Sequence, residues 1–258
     1  MRADLLPASR LAALWRWNII ISYANPSLPI RGDRCAADDT PWTDVLAGSP
    51  AQRVIPCVGS LQSADFGPQT NLGTACLVRS DLAATNSHIT RRLADRLACG
   101  AVAVTLDLRR EDSDGPSRTR PVLEVVYQAD DHDLAFVRLA PSDPPAPALT
   151  LASCRPGDLV AAIGHPSRSV GHYDPHHIER LFAGRFDVKR LAPGRILATS
   201  ADRIDHDCTT LGGNSGSPLV DLARGAAVGL HYGGAGRFLA NWAVPAAVVA
   251  ARLARVRG

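Results

Sequence analysis

At 258 residues with 46% apolar content, the chain can bury a sizeable core and suits one domain of two subdomains better than several separate units. Its net charge of +3 is carried almost wholly by Arg, and the pairs Arg91-Arg92 and Arg109-Arg110 stand apart, the second followed by Glu111-Asp112. That excludes the clustered charge needed to track a phosphate backbone, so nucleic acid is not expected as a partner, and no stretch reaches the roughly 18 apolar residues of a membrane span.

The N-terminus carries Arg2, Asp4, Arg10 and Arg16 where a signal peptide needs an unbroken apolar centre, so a cytoplasmic location is expected. Within it, Ser9 to Ile21 is amphipathic and holds Trp15 and Trp17; docking on the rest of the chain or on a partner is its expected role. A connector bearing Pro26, Pro29, Asp38-Asp39 and Pro41 follows, and residues 1–50 read as an N-terminal extension. From Val54 short apolar runs recur between turn residues: Val54 to Leu61, Gly73 to Val78, Ala101 to Leu108, Pro121 to Gln128 and Leu134 to Leu139. Such spacing predicts an all-β barrel over 51–140. Ser87 to Leu97, with Ile89, Leu93 and Leu97 on one face, predicts a short helix instead.

Pro141-Ser142-Asp143-Pro144-Pro145-Ala146-Pro147 cannot continue a strand ladder, because each Pro lacks a backbone donor and fixes its own dihedral. It places a linker at 141–150. A second strand set is predicted over 151–244: Leu159 to Ile163, Arg180 to Asp187, Arg195 to Thr199, Ser217 to Val220, Ala226 to His231 and Phe238 to Val244. Over 245–258, Val248, Val249, Leu253 and Val256 recur at helical spacing after Pro245, which suits a first turn. The six cysteines show no Cys-x-x-Cys pair and are expected to be free, mostly buried thiols.

The chemistry is concentrated in three segments. Ser215 lies in Gly212-Gly213-Asn214-Ser215-Gly216-Ser217-Pro218, and upstream stand Thr85-Asn86-Ser87-His88 and His132-Asp133-Leu134-Ala135. A serine hydroxyl is a poor nucleophile at neutral pH; it needs a base to take its proton and a carboxylate to hold that base in one tautomer. His88 is the candidate base, Asp133 the orienting acid and Ser215 the nucleophile. Asp130 and Asp131 compete for the acid role, but Asp133 directly precedes the apolar run Leu134-Ala135-Phe136-Val137 and so sits at a strand entrance. Acyl transfer also needs donors aimed at the developing oxyanion. Gly212 and Gly213 permit a sharp turn there, and the backbone amides of Gly213 and Ser215 are the candidate donors. The chain order His, Asp, Ser separates this set from subtilisin-type enzymes, and Ser217 occupies the second Gly of a Gly-x-Ser-x-Gly elbow, which removes the α/β-hydrolase reading. Because His88 and Asp133 precede the linker and Ser215 follows it, the site must be shared between two barrels.

These segments, with Gly73-Thr74-Ala75-Cys76-Leu77-Val78, resemble the chymotrypsin-like trypsin fold family over roughly residues 52 to 250, and within it the bacterial glutamyl endopeptidase-like members. The resemblance implies two antiparallel six-stranded β-barrels with the site between them, hydrolysis of a polypeptide substrate through an acyl-enzyme, and no required cofactor. Asn214 stands where the animal digestive enzymes carry the Asp that pairs with a freed N-terminal amine. Neutral Asn cannot make that ion pair, so cutting the chain is not expected to be needed for assembly of the site.

The family places the specificity-pocket floor six residues before the nucleophile, here Thr209; without an acid there, a cationic side chain has no partner. Thr210 and His231 match the positions at which glutamyl endopeptidases present a hydroxyl and an imidazole to a substrate carboxylate, which implies cleavage after Glu or Asp. Tyr232 to Gly234 should pair with the substrate backbone by strand addition, Gly233 and Gly234 leaving room for it. His172, His176 and His177 around Asp174 have a spacing compatible with a metal, yet they fall in a loop with no second cluster of ligands, and no metal is expected. A catalytically silent homologue that binds peptides through the same cleft is the alternative from another class, and a regulatory protease with one dedicated partner is a third.

Overall fold

The computed structural model describes residues 25–35, 37, 40–67, 70–113, 115–168, 175–234 and 240–256. The amphipathic Ser9 to Ile21 lies outside them. Six strands close the first barrel: β3 (Val58–Ser63), β4 (Thr70–Arg79), β5 (Leu82–Thr85), β6 (Thr105–Asp107), β7 (Thr119–Ala129) and β8 (Leu134–Leu139), in the order β3-β4-β5-β8-β7-β6. Closure comes from antiparallel pairing of Ser60 with Asp107 and Leu61 with Leu106. Two of these strands, β5 and β8, are buried along nearly their whole length, so they show an apolar run rather than alternation.

The second barrel uses β9 (Leu159–Gly164), β10 (Arg190–Thr199), β11 (Ile204–His206), β12 (Pro218–Asp221), β13 (Ala227–Gly234) and β14 (Asn241–Pro245). Its ring runs β9-β10-β11-β14-β13-β12 and returns to β9, the long β10 giving its first half to β9 and its last residues to β11. Helix α5 (Ala246–Leu253) packs Ala246 and Val249 against this barrel, as its spacing requires.

Several local readings differ from the observed elements. The expected strand Arg180 to Asp187 is instead the end of helix α4 (Pro175–Phe182): Ile178 and Phe182, four residues apart, bury together against Leu211, so helical period overrides the short apolar run. Val54 to Cys57 belongs to a 3-10 helix, Pro50–Cys57, rather than to β3, because Pro50 and Pro56 favour a turn over a ladder. The helix expected over Ser87 to Leu97 is two short pieces, α2 (Ser87–Thr90) and α3 (Ala94–Ala98), with Ile89 and Leu93 buried as their spacing implied. A further helix, α1 (Thr43–Ala47), precedes the 3-10 segment.

The segment read as an extension contains β1 (Leu28–Arg31) and β2 (Arg34–Cys35), a hairpin that adds to the second barrel through Leu28 opposite Leu191. Arg190 donates to the Ser27 hydroxyl at 3.0 Å and to the Ser27 carbonyl, and Arg31 meets Asp112 at 2.9 Å. Beneath the hairpin lies the fully buried Lys189, whose ammonium donates to Ile55 O (3.2 Å) and Leu108 O (2.7 Å) and faces Glu111 and Asp33 at 3.6 and 3.8 Å. Burial pushes its ammonium down to about 8, with Glu111 and Asp33 opposing that fall. This cluster ties both barrels to the hairpin, and losing one carboxylate would strand a buried charge. All six cysteines are free thiols; Cys57, Cys76 and Cys208 are buried, and Cys99 is exposed.

Candidate active site

Two short loops of the first barrel bring His88 and Asp133 together. His88 follows β5 at the first turn of α2, and Asp133 sits in the turn entering β8. Because β5 and β8 are neighbours, with Thr85 opposite Ala135, their ends deliver both residues to one edge of the barrel. Asp133 adopts a left-handed backbone, φ 47°, a conformation that Asp tolerates better than most residues but that still carries a cost. The turn is held by Asn86, whose side-chain amide donates to Asp133 O at 2.8 Å.

The carboxylate is surrounded by donors. Its Oδ2 lies 2.7 Å from His88 Nδ1, while Oδ1 accepts from the His88 amide and from Ser87 Oγ, both at 2.9 Å. Burial opposes the charge on Asp133, but the bonds from the His88 ring, the His88 amide and the Ser87 hydroxyl together pull its carboxyl below the ordinary range. The competing acids are engaged elsewhere: Asp130 meets Arg91 at 2.8 Å, and Asp131 meets His132 at 3.0 Å and Arg252 at 2.8 Å. Of the three, Asp133 is the one that bonds His88.

Ser215 comes from the second barrel, in the loop entering β12. Gly213 has φ +86° and Gly216 φ +87°, and a Cβ on either would collide with backbone, that of His165 or of Thr74. These two positions admit glycine alone. The loop is sewn to the first barrel by Thr74, whose amide donates to Ser215 O and whose hydroxyl donates to Gly213 O, both at 2.8 Å. On its other side the Gly216 amide donates to His231 O at 2.8 Å. The amides of Gly213 and Ser215 donate to no group among the described residues, nor does a hydrogen bond join Ser215 Oγ to His88. Nucleophile–base bonds are often loose before substrate arrives.

Around this loop stand the residues expected to shape specificity. Thr209 and Thr210 are half-buried, but the Thr209 hydroxyl donates to Asn25 O at 2.6 Å rather than remaining available. His231, on β13, is buried; its Nδ1 lies 3.1 Å from His206 Nε2 in an edge-on pair. Burial pushes the His231 imidazole down to about 4, with His88 adding in the same direction, and burial holds His206 well below its ordinary value. Strand β13 runs past the end of β12, where Pro218 pairs with Leu230, so Tyr232 to Gly234 pair only with β14. Among the described residues no strand pairs with their other edge. His172 and Asp174 lie outside the described residues, as does the side chain of His177.

Sequence reasoning missed Ser87, Asn86, Thr74, His206 and Asn25. The first three lie inside quoted motifs, but their roles depend on which partner a fold places opposite them. Nothing local marks His206 or Asn25.

A family model described as the trypsin-like peptidase domain matches residues 73–230. A probable serine protease of Lysobacter enzymogenes is 30% identical over a match covering 75% of this chain and 62% of that protein, so this chain spans less than two thirds of that relative's length. The fold is similar to that of a serine endoprotease from Yersinia pestis (TM-score 0.60, 19% identity, 80% of this chain and 65% of that chain). It is also similar to a Mycobacterium tuberculosis protein solved as an inactive serine-to-alanine mutant (TM-score 0.57, 20% identity, 86% of this chain and 95% of that chain). Two closed antiparallel barrels that carry His88 and Asp133 on one and Ser215 on the other, together with the match over residues 73–230, place the chain in the trypsin-like peptidase family.

Proposed function

We propose that the protein is a serine endopeptidase in which Ser215 is the nucleophile, His88 the general base and then acid, and Asp133 the group that orients it. The observations that carry this reading are the His88–Asp133 contact of 2.7 Å and a Ser215 loop whose Gly213 and Ser215 amides have no partner among the described residues. With Nδ1 bonded to Asp133, the Nε2 of His88 is the atom left to take a proton from Ser215 Oγ as that oxygen attacks a peptide carbonyl carbon. The carbonyl oxygen becomes an oxyanion, which the Gly213 and Ser215 amides stabilise. Collapse breaks the C–N bond, His88 returns the proton to the leaving amine, and water repeats the sequence to free Ser215.

Preference for Glu or Asp before the cut bond is the finer part of the proposal. Two features support it: no acid stands at Thr209 to attract a cation, and His231 offers an imidazole beside the Ser215 loop. Because burial keeps His231 neutral at ordinary pH, it would meet a substrate carboxylate as one N–H donor, a weaker attraction than an ion pair.

The test is reaction of the purified full-length protein with a fluorophosphonate probe read by intact mass, with Ser215→Ala as control. One adduct confined to the unmutated protein is expected, and peptide-library profiling then reads the residue before the cut. Absence of an adduct, persisting after removal of residues 1–24, would favour the binding-module reading; cleavage after basic or aromatic residues would remove the acidic preference. Truncation must stop short of β1, since β1 pairs with β10 of the second barrel.

A further inference from the structure

We propose that Asn25 is a positioning residue for the wall of the primary specificity site, so that the N-terminal strand takes part in choosing the substrate. The kinetic consequence rests on the endopeptidase reading; the structural one does not. Asn25 is buried just before β1, and it grips the segment Asp207-Cys208-Thr209 at both ends. Its side-chain amide donates to Asp207 O at 3.2 Å, and its backbone carbonyl accepts from Thr209 Oγ1 at 2.6 Å. Between them, Cys208 O accepts from Asn241 Nδ2 at 2.7 Å.

This segment needs such support because it has left the sheet. Strand β11 ends at His206, and the chain then runs without a ladder through Thr209 and Thr210 to the Gly213–Ser215 loop. The Asp207 amide donates to Arg195 O at 3.2 Å and its carboxylate accepts from the Arg195 amide at 2.5 Å; beyond those two bonds, among the described residues, side chains take over from strand pairing. Two come from other parts of the chain, Asn25 and Asn241, and the third is the hydroxyl of Thr209. Asn25 is itself fixed from behind by the Arg190 bonds to Ser27 and by the Leu28–Leu191 pairing. A paired strand therefore helps set the position of a wall that has no ladder of its own. Thr209, expected from its sequence position to line the pocket floor, spends its hydroxyl on holding the wall.

Hydrogen exchange in the full-length protein reads this without turnover. In Asn25→Ala and in Thr209→Val, amides of 207–211 should exchange about tenfold faster while those of the first barrel keep their protection. Steady-state kinetics gives the second readout. KM for a preferred peptide should rise roughly three- to tenfold and discrimination between side chains before the cut bond should narrow, with kcat changing less than KM. Since both substitutions cut the same brace, their double mutant should fall short of the product of the single effects. Unchanged exchange at 207–211 in both variants overturns the proposal, as does a loss confined to kcat, which would report general destabilisation. An unmutated protein that neither labels nor cleaves overturns the endopeptidase reading, and the exchange result then stands by itself.

Discussion

The two halves of the site are prepared in opposite ways. On the first barrel, Asp133 accepts from three donors and His88 Nδ1 is held by its partner, so both carboxylate oxygens are committed in advance. On the second barrel, Ser215 Oγ and the amides of Gly213 and Ser215 are uncommitted among the described residues, although the carbonyls of Gly213 and Ser215 are tied to Thr74. The difference teaches how such a site divides its labour. Charge is stabilised in advance where it is permanent, and donors are left open where charge appears only during reaction.

The comparison can be broken first at its centre. Ser215→Ala should lower kcat by about 10⁶-fold, and Asp133→Asn by about 10⁴-fold through the wrong His88 tautomer, both read on a peptide substrate at saturating concentration. Gly213→Ala tests the open side. The added Cβ meets the His165 carbonyl at a φ of +86°, so the loop must move, and a loss of about 10²- to 10³-fold in kcat is expected with His88 and Asp133 unchanged. A loss that also reduced thermal stability of the whole fold would assign Gly213 to folding rather than to the hole.

A smaller effect belongs to pH. His231 is depressed to about 4 against an ordinary 6.5, so the unfolded chain takes up a proton that the folded chain refuses between those values. Stability contributed by the neutral His231 is therefore complete above 6.5 and is lost as pH falls toward 4, by on the order of 3 kcal/mol, with His206 acting in the same direction. Urea midpoints measured across that window should fall on acidification, and His231→Gln should flatten the fall. Smallest of all is Ser87→Ala. Removing one donor from Asp133 should cost roughly three- to tenfold in kcat and let the Asp133 carboxyl titrate closer to its ordinary value, as followed by carbon NMR of that side chain.

What was legible in the sequence, and what was not, divides along physical lines. Runs such as Leu134 to Leu139 were readable because a strand buried on both faces is apolar at nearly every position, Arg138 being the exception here. The strand β11 was not, since three residues, Ile204–His206, are too few for a period, and β5 lies within four buried residues hard against a turn. Arg180 to Asp187 misled because only the partner Leu211 shows that Ile178 and Phe182 share a helical face. At the site, the motifs around His88, Asp133 and Ser215 carried the chemistry in their residue types and order, while Ser87 became visible as a support only when β5 and β8 were seen side by side.

By itself the sequence determined that a base, an acid and a nucleophile lie in a protease's order on two strand sets parted by a proline-rich linker. Both backbone restriction and apolar patterning act locally, and both are written residue by residue. Only the tertiary structure decided that residues 25–35 belong to the second barrel, that Lys189 is buried between both barrels and the hairpin, and that Asn25 grips Asp207 and Thr209. Those facts rest on hydrogen bonds and burial between groups up to 184 positions apart, as in the Thr209–Asn25 contact, and no local pattern encodes which polar group will find which.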